Sequence, residues 1–579
     1  MEELVNLTID NQKISVPKGT TILQAAKKAG IDIPTLCFLK DINEIGDCRM
    51  CIVKVEGRRG FATSCIQKVE EGMIVKTNTP EIMEARHVIL DLIISNHDKD
   101  CLTCSRMGNC ELQQLAKKFN IQSIEFKGER EEQQIDDLSP AIVRDPNKCI
   151  LCRRCVAVCK NVQKIGAIDC ANRGFESNIS TSYGKSLSET TCVNCGQCIQ
   201  ACPTAALHEK ENIDDVWAKL KDPDTYVVVQ TAPAVRVALG EEFDMPIGTN
   251  VTGKMVTALK RLGFDKIFDT NTAADFTIME EAHEFVERFK ENDNLPMMTS
   301  CCPGWIRYIE MNYPEMLPHL SSCKSPHEML GSLIKSYYAK RENIEPEKIY
   351  VVSVMPCIAK KYESQRKELS NSGLQDVDCV ITTRELARMI KYANIRFDDL
   401  EDSEFDNPLG DSTGAAAIFG TTGGVMEAAL RTAQDTLTGN DLEKIDFKAV
   451  RGEKGIKRAT VNIDGTDVKV VVASGLGNAQ KIMEEIKSGK ADYQFVEIMA
   501  CPGGCVMGGG QPIKNSTIRA EVDVRKLRAD SLYSIDEKST IRKSHENPII
   551  KNVYEEYLEA PGSYRAEKLL HTTYGNNKN

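Results

Sequence analysis

The sequence has no excess of positive charge, no long apolar run and no export signal. Lys and Arg number 73 against 84 Asp and Glu, so the formal net charge is −11. Nucleic acid is therefore excluded as the main partner, because phosphate binding needs a basic surface. No apolar run approaches the roughly 18 residues of a transmembrane helix, so we expect no membrane span. The start, MEELVNLTID, lacks a signal-peptide pattern, and we predict a cytoplasmic protein.

Cysteine is the residue type that stands out. The chain has 579 residues, enough for about four domains, and contains 23 cysteines. That is too few for a small disulfide scaffold and many for a chain whose thiols should stay reduced. Sixteen precede residue 210 and seven follow it. We predict metal or cluster ligation, with small metal-bearing modules over 1–209 and a larger α/β unit over 210–579.

Residues 1–80 are predicted to form a small α+β domain with a β-grasp, plant-type-ferredoxin-like fold. Strands LVNLTI and KISV precede a helix that begins at a Thr21–Gln24 capping box and ends at Gly30. Strands are also expected near 52–55 and 73–76. A C-x10-C-x2-C-x13-C pattern comprises Cys37, Cys48, Cys51 and Cys65. Four thiolates hold a 2Fe–2S cluster or zinc, and the long ligand loop favours the cluster.

Residues 81–125 carry one histidine close to three cysteines. His97 precedes Cys101, Cys104 and Cys110 in the run NHDKDCLTCSRMGNC. One imidazole and three thiolates suit either a 4Fe–4S cluster or zinc. The pattern alone is ambiguous, and the cluster-type neighbours favour 4Fe–4S.

Residues 126–209 contain the most specific pattern, two copies of C-x2-C-x2-C-x3-C. In two-cluster bacterial ferredoxins the fourth cysteine of a run ligates the other cluster. One 4Fe–4S cluster is therefore predicted on Cys149, Cys152, Cys155 and Cys202. The other is predicted on Cys192, Cys195, Cys198 and Cys159. Cys170 fits neither run and is predicted to be a buried thiol.

Strands and helices alternate over 210–579, which predicts α/β packing. Four apolar runs, YVVVQ, PMMTS, IYVVSV and QFVEIM, each end in a loop. These loops contain Ala232, Pro233, Cys301, Cys302, Pro356, Cys357, Cys501, Gly503, Gly504 and Cys505. Ligands of open α/β sheets bind beyond the carboxyl ends of strands, and glycine lets backbone approach a bulky inorganic group. We expect the loops to converge, with Cys323 and Cys379 as structural thiols.

The motifs TSCCPGW, VMPCIAKK and EIMACPGGC, followed by GGGQP, resemble the three signature motifs of iron–iron hydrogenases. The resemblance covers essentially the whole chain and is to the clostridial monomeric type with four accessory clusters. It implies one 2Fe–2S cluster, three accessory 4Fe–4S clusters and the H-cluster. The H-cluster is a 4Fe–4S cubane joined to a diiron unit that carries CO, cyanide and a bridging azadithiolate.

The resemblance implies reversible reduction of protons to H2, a ferredoxin or flavodoxin electron carrier, and dedicated maturation enzymes for the diiron unit. The cubane would be held by Cys302, Cys357, Cys501 and Cys505, of which Cys505 would bridge to the diiron unit. Cys301 would exchange protons with the bridgehead amine.

The resemblance also implies a proton route to the surface, formed by Glu281, Ser321, Glu284 and Arg288. The spacing of the two glutamates and the arginine suits one helical face. Around the diiron unit, Lys360 would pair with a cyanide, which carries negative charge in a closed pocket. Met355 and Met499 would line the same pocket with polarizable thioethers.

Four positions depart from the best-known clostridial form: Ala234 and Ala359 replace serines, His327 replaces a glutamine, and Met507 replaces an asparagine. Changes of polarity near clusters tune potentials, so the preferred direction of reaction stays open. An uptake-biased, sensory or electron-bifurcating member of the family is an alternative. A non-catalytic electron-transfer subunit is another, because residues 1–209 also resemble the cluster-bearing subunit of NADH–quinone oxidoreductases.

Overall fold

The N-terminal residues form a five-stranded sheet with one helix. A computed structural model describes residues 3–127, 132–371, 373–438, 446–452, 455–463 and 465–575. The first elements are β1 (Leu4–Ile9), β2 (Gln12–Pro17), α1 (Ile22–Lys28), β3 (Ile52–Val55), β4 (Ala62–Thr63) and β5 (Met73–Lys76). The strand order is β2-β1-β5-β3-β4. The predicted capping box of Thr21 and Gln24 is confirmed, and Gly30 follows the helix with a φ of +73°.

Two further modules follow, the first helical and the second built from short strands and helices. The first contains α2 (Pro80–Ser95) and α3 (Glu111–Lys118). The second contains β6 (Ile142–Arg144), α4 (Arg154–Ala157), β7 (Asp169–Ala171), β8 (Asn178–Ser180), α5 (Gln197–Ala201) and β9 (Leu207–Glu209). Antiparallel pairing of β6 with β9 joins the beginning and end of the second module. This closure lets α4 and α5, which carry cysteines of the two repeats, lie against each other.

The remaining residues alternate helices and strands, as predicted. The first part contains α6 (Ile213–Leu220), β10 (Tyr226–Thr231), α7 (Thr252–Leu262), β11 (Lys266–Asp269), α8 (Thr270–Glu291), β12 (Met297–Met298), α9 (Pro303–Asn312), α10 (Pro326–Leu333), α11 (Ala339–Glu342), β13 (Ile349–Met355), α12 (Lys360–Glu363), β14 (Ser370–Asn371), β15 (Leu374–Gln375), β16 (Cys379–Thr382) and α13 (Thr383–Tyr392). The second contains α14 (Gly414–Ala417), α15 (Gly424–Thr438), β17 (Ile456–Ile463), β18 (Thr466–Ser474), α16 (Leu476–Lys487), β19 (Phe495–Met499), α17 (Ser516–Glu521), α18 (Val524–Lys538), α19 (Pro548–Val553) and α20 (Tyr564–Leu570). Among the described residues, no helix is long and apolar enough to cross a membrane.

The four strands that end in cysteine or proline loops belong to two sheets. One sheet has the order β11-β10-β13-β16 and is parallel throughout. The other has the order β12-β19-β18-β17, with only β17 antiparallel to its neighbour. β19 is buried along its whole length and β10 and β13 along nearly all of theirs, as expected for parallel strands covered on both faces. The loops therefore converge between two sheets, which the apolar runs alone did not predict.

A buried ion pair fixes the N-terminal modules to the C-terminal region. The Arg154 guanidinium donates two hydrogen bonds of 2.9 Å to the Glu111 carboxylate. Both side chains also contact Ser516, whose hydroxyl donates to Glu111 over 2.8 Å. The Arg154 side chain is only 1% exposed. Three stretches of chain that are distant in sequence therefore meet at one satisfied charge pair.

We expect Arg154→Leu to lower the free energy of unfolding by about 3–5 kcal/mol, because Glu111 would remain buried without its cation. Urea unfolding followed by circular dichroism measures the change. Arg153→Gln is the matched control, since the Arg153 side chain is 48% exposed and lies 3.4 Å from Asp47. That variant should lose less than about 1 kcal/mol. Equal losses in the two variants would contradict the role of the buried pair.

Candidate active site and cluster sites

Four thiols lie together where strands of the two sheets end, one of them buried and three partly buried. Cys302 precedes α9, Cys357 follows β13, and Cys501 and Cys505 follow β19. Burial raises the pKa of all four, and a charge on any one would raise the pKa of the others further. For Cys357 the raised pKa is about 12. Such thiols stay protonated near neutral pH unless a metal binds them as thiolates.

The spacing of the thiols distinguishes a cluster from a single ion. Four thiolates on one zinc would lie about 3.8 Å apart, given a Zn–S distance of about 2.3 Å and tetrahedral geometry. In the described part of the chain, three groups of three side chains have all their possible metal-ligand atoms within 4.8 Å of one another. Only one cysteine, Cys323, belongs to any of these groups. The cysteine sets are therefore too widely spaced for one zinc, and soft thiols at wider spacing fit an iron–sulfur cluster.

Glycines allow the cysteine loops to approach other backbone closely. Gly503 and Gly504 have φ of +93° and +90°, which side chains rarely adopt. A Cβ at Gly504 would lie 2.7 Å from the Thr422 amide nitrogen. One at Gly509 would lie 2.6 Å from the Cys195 carbonyl oxygen. The loop after β19 therefore touches the second cysteine repeat directly.

Cys301 lies next to the four thiols. Burial raises its pKa, the Glu281 and Cys302 charges raise it further, and Lys360 opposes them. The Lys360 ammonium donates to the Cys301 carbonyl oxygen over 3.2 Å. The remaining predicted pocket residues lie at or just after the ends of β10, β13 and β19. They are Ala232, Pro233, Met355, Pro356 and Met499, and both methionines are buried.

A buried charge network lies behind Lys360, and sequence reasoning missed its centre. Glu363 Oε2 accepts from Lys360 Nζ over 2.7 Å and lies 2.6 Å from His327 Nε2. His327 also lies 3.1 Å from Glu328 and 3.2 Å from Ser353 Oγ. Although burial acts to raise it, Lys360 and His327 lower the pKa of Glu363 to about 2. The i, i+3 spacing of Lys360 and Glu363 on α12 was the available signal.

The predicted proton-route residues form a row from the interior to the surface. Ser321 Oγ donates to Glu284 Oε2 over 3.0 Å, and Arg288 donates to Glu284 Oε1 over 2.6 Å. The Arg288 side chain is 16% exposed. At the inner end, Glu281 is buried, and among the described residues neither of its oxygens has a well-aligned hydrogen-bond partner. Burial, followed by the Glu284 charge, raises the pKa of Glu281 to about 8.

In the N-terminal domain the four predicted ligands form two close pairs. A hydrogen bond between the side chains of Cys37 and Cys48 lowers the pKa of Cys48 to about 6 and raises that of Cys37. Cys51 and Cys65 form the same arrangement, which lowers the pKa of Cys51 to about 7. Two pairs of thiols suit two iron atoms with two thiolates each.

The next two modules also group their cysteines. Cys104 lies near both Cys101 and Cys110, and His97 is buried in the same module. The ferredoxin repeats group as the predicted crossed sets, in which Cys155 lies near Cys149, Cys152 and Cys202, while Cys198 lies near Cys159, Cys192 and Cys195.

The prediction for Cys170 is wrong. Its thiol is exposed, because β7 pairs only with β8 in a two-stranded sheet and all three of its residues are exposed or partly exposed.

Buried amides connect neighbouring cysteine sites. Asn43 donates to the carbonyl oxygens of Cys37 and Cys152 over 2.8 and 3.0 Å. Gln163 donates to the Ala500 carbonyl over 2.9 Å and lies 3.6 Å from Cys195 Sγ. No motif identifies either amide in the sequence, since each acts between stretches far apart in the chain.

Five family models match successive stretches of the chain. Residues 225–509 match the iron only hydrogenase large subunit, C-terminal domain, and 522–577 match the iron hydrogenase small subunit. Residues 2–80 match a 2Fe-2S iron-sulfur cluster binding domain. Residues 86–125 match the NADH-ubiquinone oxidoreductase-G iron-sulfur binding region, and 139–208 match the ferredoxin-like domain of NADH-quinone oxidoreductase subunit 3.

Individual relatives match over the whole length. The chain is 49% identical over 582 residues to NADP-reducing hydrogenase subunit HndD from Solidesulfovibrio fructosivorans, with 99% of each chain covered. It is 44% identical over 570 residues to iron hydrogenase 1 from Clostridium pasteurianum, covering 98% of this chain and 99% of that one. A solved structure of apo [FeFe]-hydrogenase HydA1 from Chlamydomonas reinhardtii is 42% identical with a TM-score of 0.56, covering 62% of this chain and 98% of that one.

We expect Glu281→Gln to remove a pH-dependent part of the stability. The pKa of Glu281 is about 8 in the folded protein against an ordinary 4.5. The stability it contributes is therefore full below about pH 4.5 and is lost as the pH rises through about 8. Relative to the parent, the variant should change little at pH 5 and gain stability at pH 9, as measured by denaturant unfolding. Glu287→Gln, at a side chain 64% exposed on the same helix, is the control. An equal effect of Glu281→Gln at both pH values would contradict the assignment.

Proposed function

Because the chain belongs to the iron-only (FeFe) hydrogenases and is an oxidoreductase acting on H2, we propose that the strand-end site interconverts protons and H2. Electrons would pass through the N-terminal cysteine modules. The observation that carries this proposal is the convergence of four thiols beside Cys301 and Lys360, namely Cys302, Cys357, Cys501 and Cys505.

The proposed cofactors follow the proposed domains. Residues 1–80 hold a 2Fe–2S cluster on Cys37, Cys48, Cys51 and Cys65. Residues 81–125 hold a 4Fe–4S cluster on His97, Cys101, Cys104 and Cys110. Residues 126–209 hold two more 4Fe–4S clusters on the crossed sets of the ferredoxin repeats. Residues 210–579 would hold the H-cluster, with Cys302, Cys357, Cys501 and Cys505 as its ligands.

The H-cluster, when bound, supplies the iron at which protons and electrons combine to H2. Around it, the chain supplies charge and exclusion of water. The Lys360 ammonium is held by Glu363 at the pocket wall, where a fixed cation stabilises an anionic ligand more strongly than it would in water. Met355 and Met499 fill the pocket without competing hydrogen bonds. Pro233, Ala232, Pro356, Gly503 and Gly504 shape its backbone walls.

Protons are proposed to move along the row that begins at Cys301. Its raised pKa keeps the thiol protonated, so Cys301 holds a proton to give and is restored by Glu281. Glu281 titrates at about 8, near enough to neutral pH to accept and release a proton readily. Ser321 and Glu284 continue the row, and Arg288 holds the outer carboxylate at the surface.

The electron donor is proposed to be a ferredoxin or flavodoxin. A second candidate is a partner that exchanges electrons with NADP, since the relative from Solidesulfovibrio fructosivorans is named an NADP-reducing hydrogenase subunit. H2 evolution by the isolated chain from reduced ferredoxin, with no activity from NADPH alone, would support the first candidate. Activity from NADPH only after addition of a further subunit would support the second.

Metal analysis tests the cofactor assignment. The anaerobic holoprotein is expected to contain about 20 iron atoms per chain and infrared bands of CO and cyanide. Protein made without the diiron maturation enzymes should keep the cubanes but lack those bands and evolve no H2. Stoichiometric zinc in place of iron, or full activity without maturation, would contradict the assignment.

Two adjacent cysteines provide the sharpest test of the proton route. Cys302→Ser removes a proposed ligand and should lose iron from the cubane site, together with the CO and cyanide bands. Cys301→Ser should keep iron and bands but lose about 10²–10⁴-fold in turnover, because a hydroxyl is too weakly acidic to replace the thiol. Cys301→Asp keeps an ionisable group and should retain more activity than the serine variant.

Iron content, infrared bands and H2 evolution are compared across the three variants. Wild-type turnover in Cys301→Ser would remove the proton-carrier role. Loss of iron in that variant, as in Cys302→Ser, would make Cys301 a ligand instead.

A further inference from the structure

Arg106 is a buried cation without a partner. Its side chain lies in the loop between Cys104 and Cys110 and the residue is 6% exposed. Within the described residues, none of its three guanidinium nitrogens has a hydrogen-bond partner. Other buried arginines have partners: Arg154 pairs with Glu111, Arg528 pairs with Glu241, and Arg86 donates to the Ile52 carbonyl oxygen over 2.6 Å. Arg106 is therefore an exception that needs a physical reason.

An unpaired guanidinium in the interior is strongly unfavourable. Arginine does not lose its proton in proteins, so its charge persists. Burying an ion without hydrogen bonds costs several kcal/mol, even after relaxation. A fold that keeps such a group usually provides hydrogen-bond acceptors for it when the protein is in its functional form.

Two of the three negative groups that act on Arg106 are cysteine thiols. The negative groups that act on it are, in order, Cys202, Cys110 and Glu111. The Glu111 carboxylate already accepts from Arg154 and Ser516. Of the negative groups that act on Arg106, the two that no other charged side chain engages are therefore the thiols of two different proposed cluster sites.

These two sites meet at Arg106. The Glu111 amide, directly after Cys110, donates to the carbonyl oxygen of Pro203, directly after Cys202, over 3.0 Å. The loop of Arg106 is also held in place by Asn109, whose side chain donates to the Ile513 carbonyl over 3.0 Å. The guanidinium is thus fixed at the boundary between the His97 site and the ferredoxin-type site that includes Cys202.

We propose that Arg106 donates N–H hydrogen bonds to sulfurs of both clusters and, as a fixed positive charge between them, raises their reduction potentials. The inference rests on the proposed cluster assignment. An iron–sulfur cluster with its thiolates is anionic, so a nearby cation stabilises the state that holds one more electron. Hydrogen bonds to cluster sulfurs act in the same direction. Arg106 is a positioning and tuning residue, since it acts on the electron carriers and not on H2.

The test is a redox titration of the full-length holoprotein followed by electron paramagnetic resonance. In Arg106→Gln, the midpoint potentials of two 4Fe–4S signals should become more negative, while the 2Fe–2S signal, which Arg106 does not face, should not shift. Arg106→Lys keeps the charge and should keep most of the potential. Arg396→Gln removes an arginine of the C-terminal region whose side chain is 87% exposed beside Asp399, and this control should change neither potential.

A second measurement does not depend on how the Gln variant folds. In protein labelled with ¹⁵N-arginine, pulsed resonance on the reduced 4Fe–4S signals should detect a nitrogen coupling that Arg106→Lys abolishes. Absence of that coupling, or unchanged potentials in Arg106→Gln with full iron content, would overturn the inference. Absence of the 4Fe–4S signals from the parent protein would instead overturn the cluster assignment on which it rests.

Discussion

A thiol that is buried away from water resists losing its proton, and most of this chain is organised around that constraint. Burial raises the pKa of each of the four thiols between the two sheets. These groups become thiolates only when a metal offers more stabilisation than the lost proton did. In the described residues these thiols are not gathered as closely as a single zinc would hold them, an arrangement that is compatible with a cluster. The same burial excludes water from the chemistry.

The modules must also be held close enough for electrons to pass between sites. The contacts that do this are polar, buried and satisfied: the Arg154–Glu111 pair, the Asn43 amide and the Gln163 amide. Gly509 adds a backbone approach that any side chain would block. At a mobile, solvated interface the distances between the cysteine sites would vary, whereas fully hydrogen-bonded buried contacts specify one arrangement of the modules.

The sequence predicted what is local and periodic. The capping box at Thr21, the α/β alternation and the cysteine repeats follow from short spacings, and they were confirmed or found grouped as expected. The family membership came from three short motifs. What it did not predict depends on tertiary contacts: the division of the strands between two sheets, the exposure of Cys170, and the roles of Glu363, Gln163 and Arg106. Most of these depend on residues far away in sequence, which no spacing in the chain reports; the i, i+3 spacing of Lys360 and Glu363 is the exception.

Two buried glutamates near the strand-end site differ in the charged groups beside them. On one side, Glu281 is buried without a cation of its own, so its pKa rises to about 8 and it can carry a proton. On the other, Lys360 is bound by Glu363, whose pKa is held at about 2 by two basic neighbours. A carboxylate that is so firmly ionised cannot relay protons near neutral pH. The pKa values of the two buried glutamates are therefore shifted in opposite directions, and the difference lies in whether a cation lies beside the carboxylate.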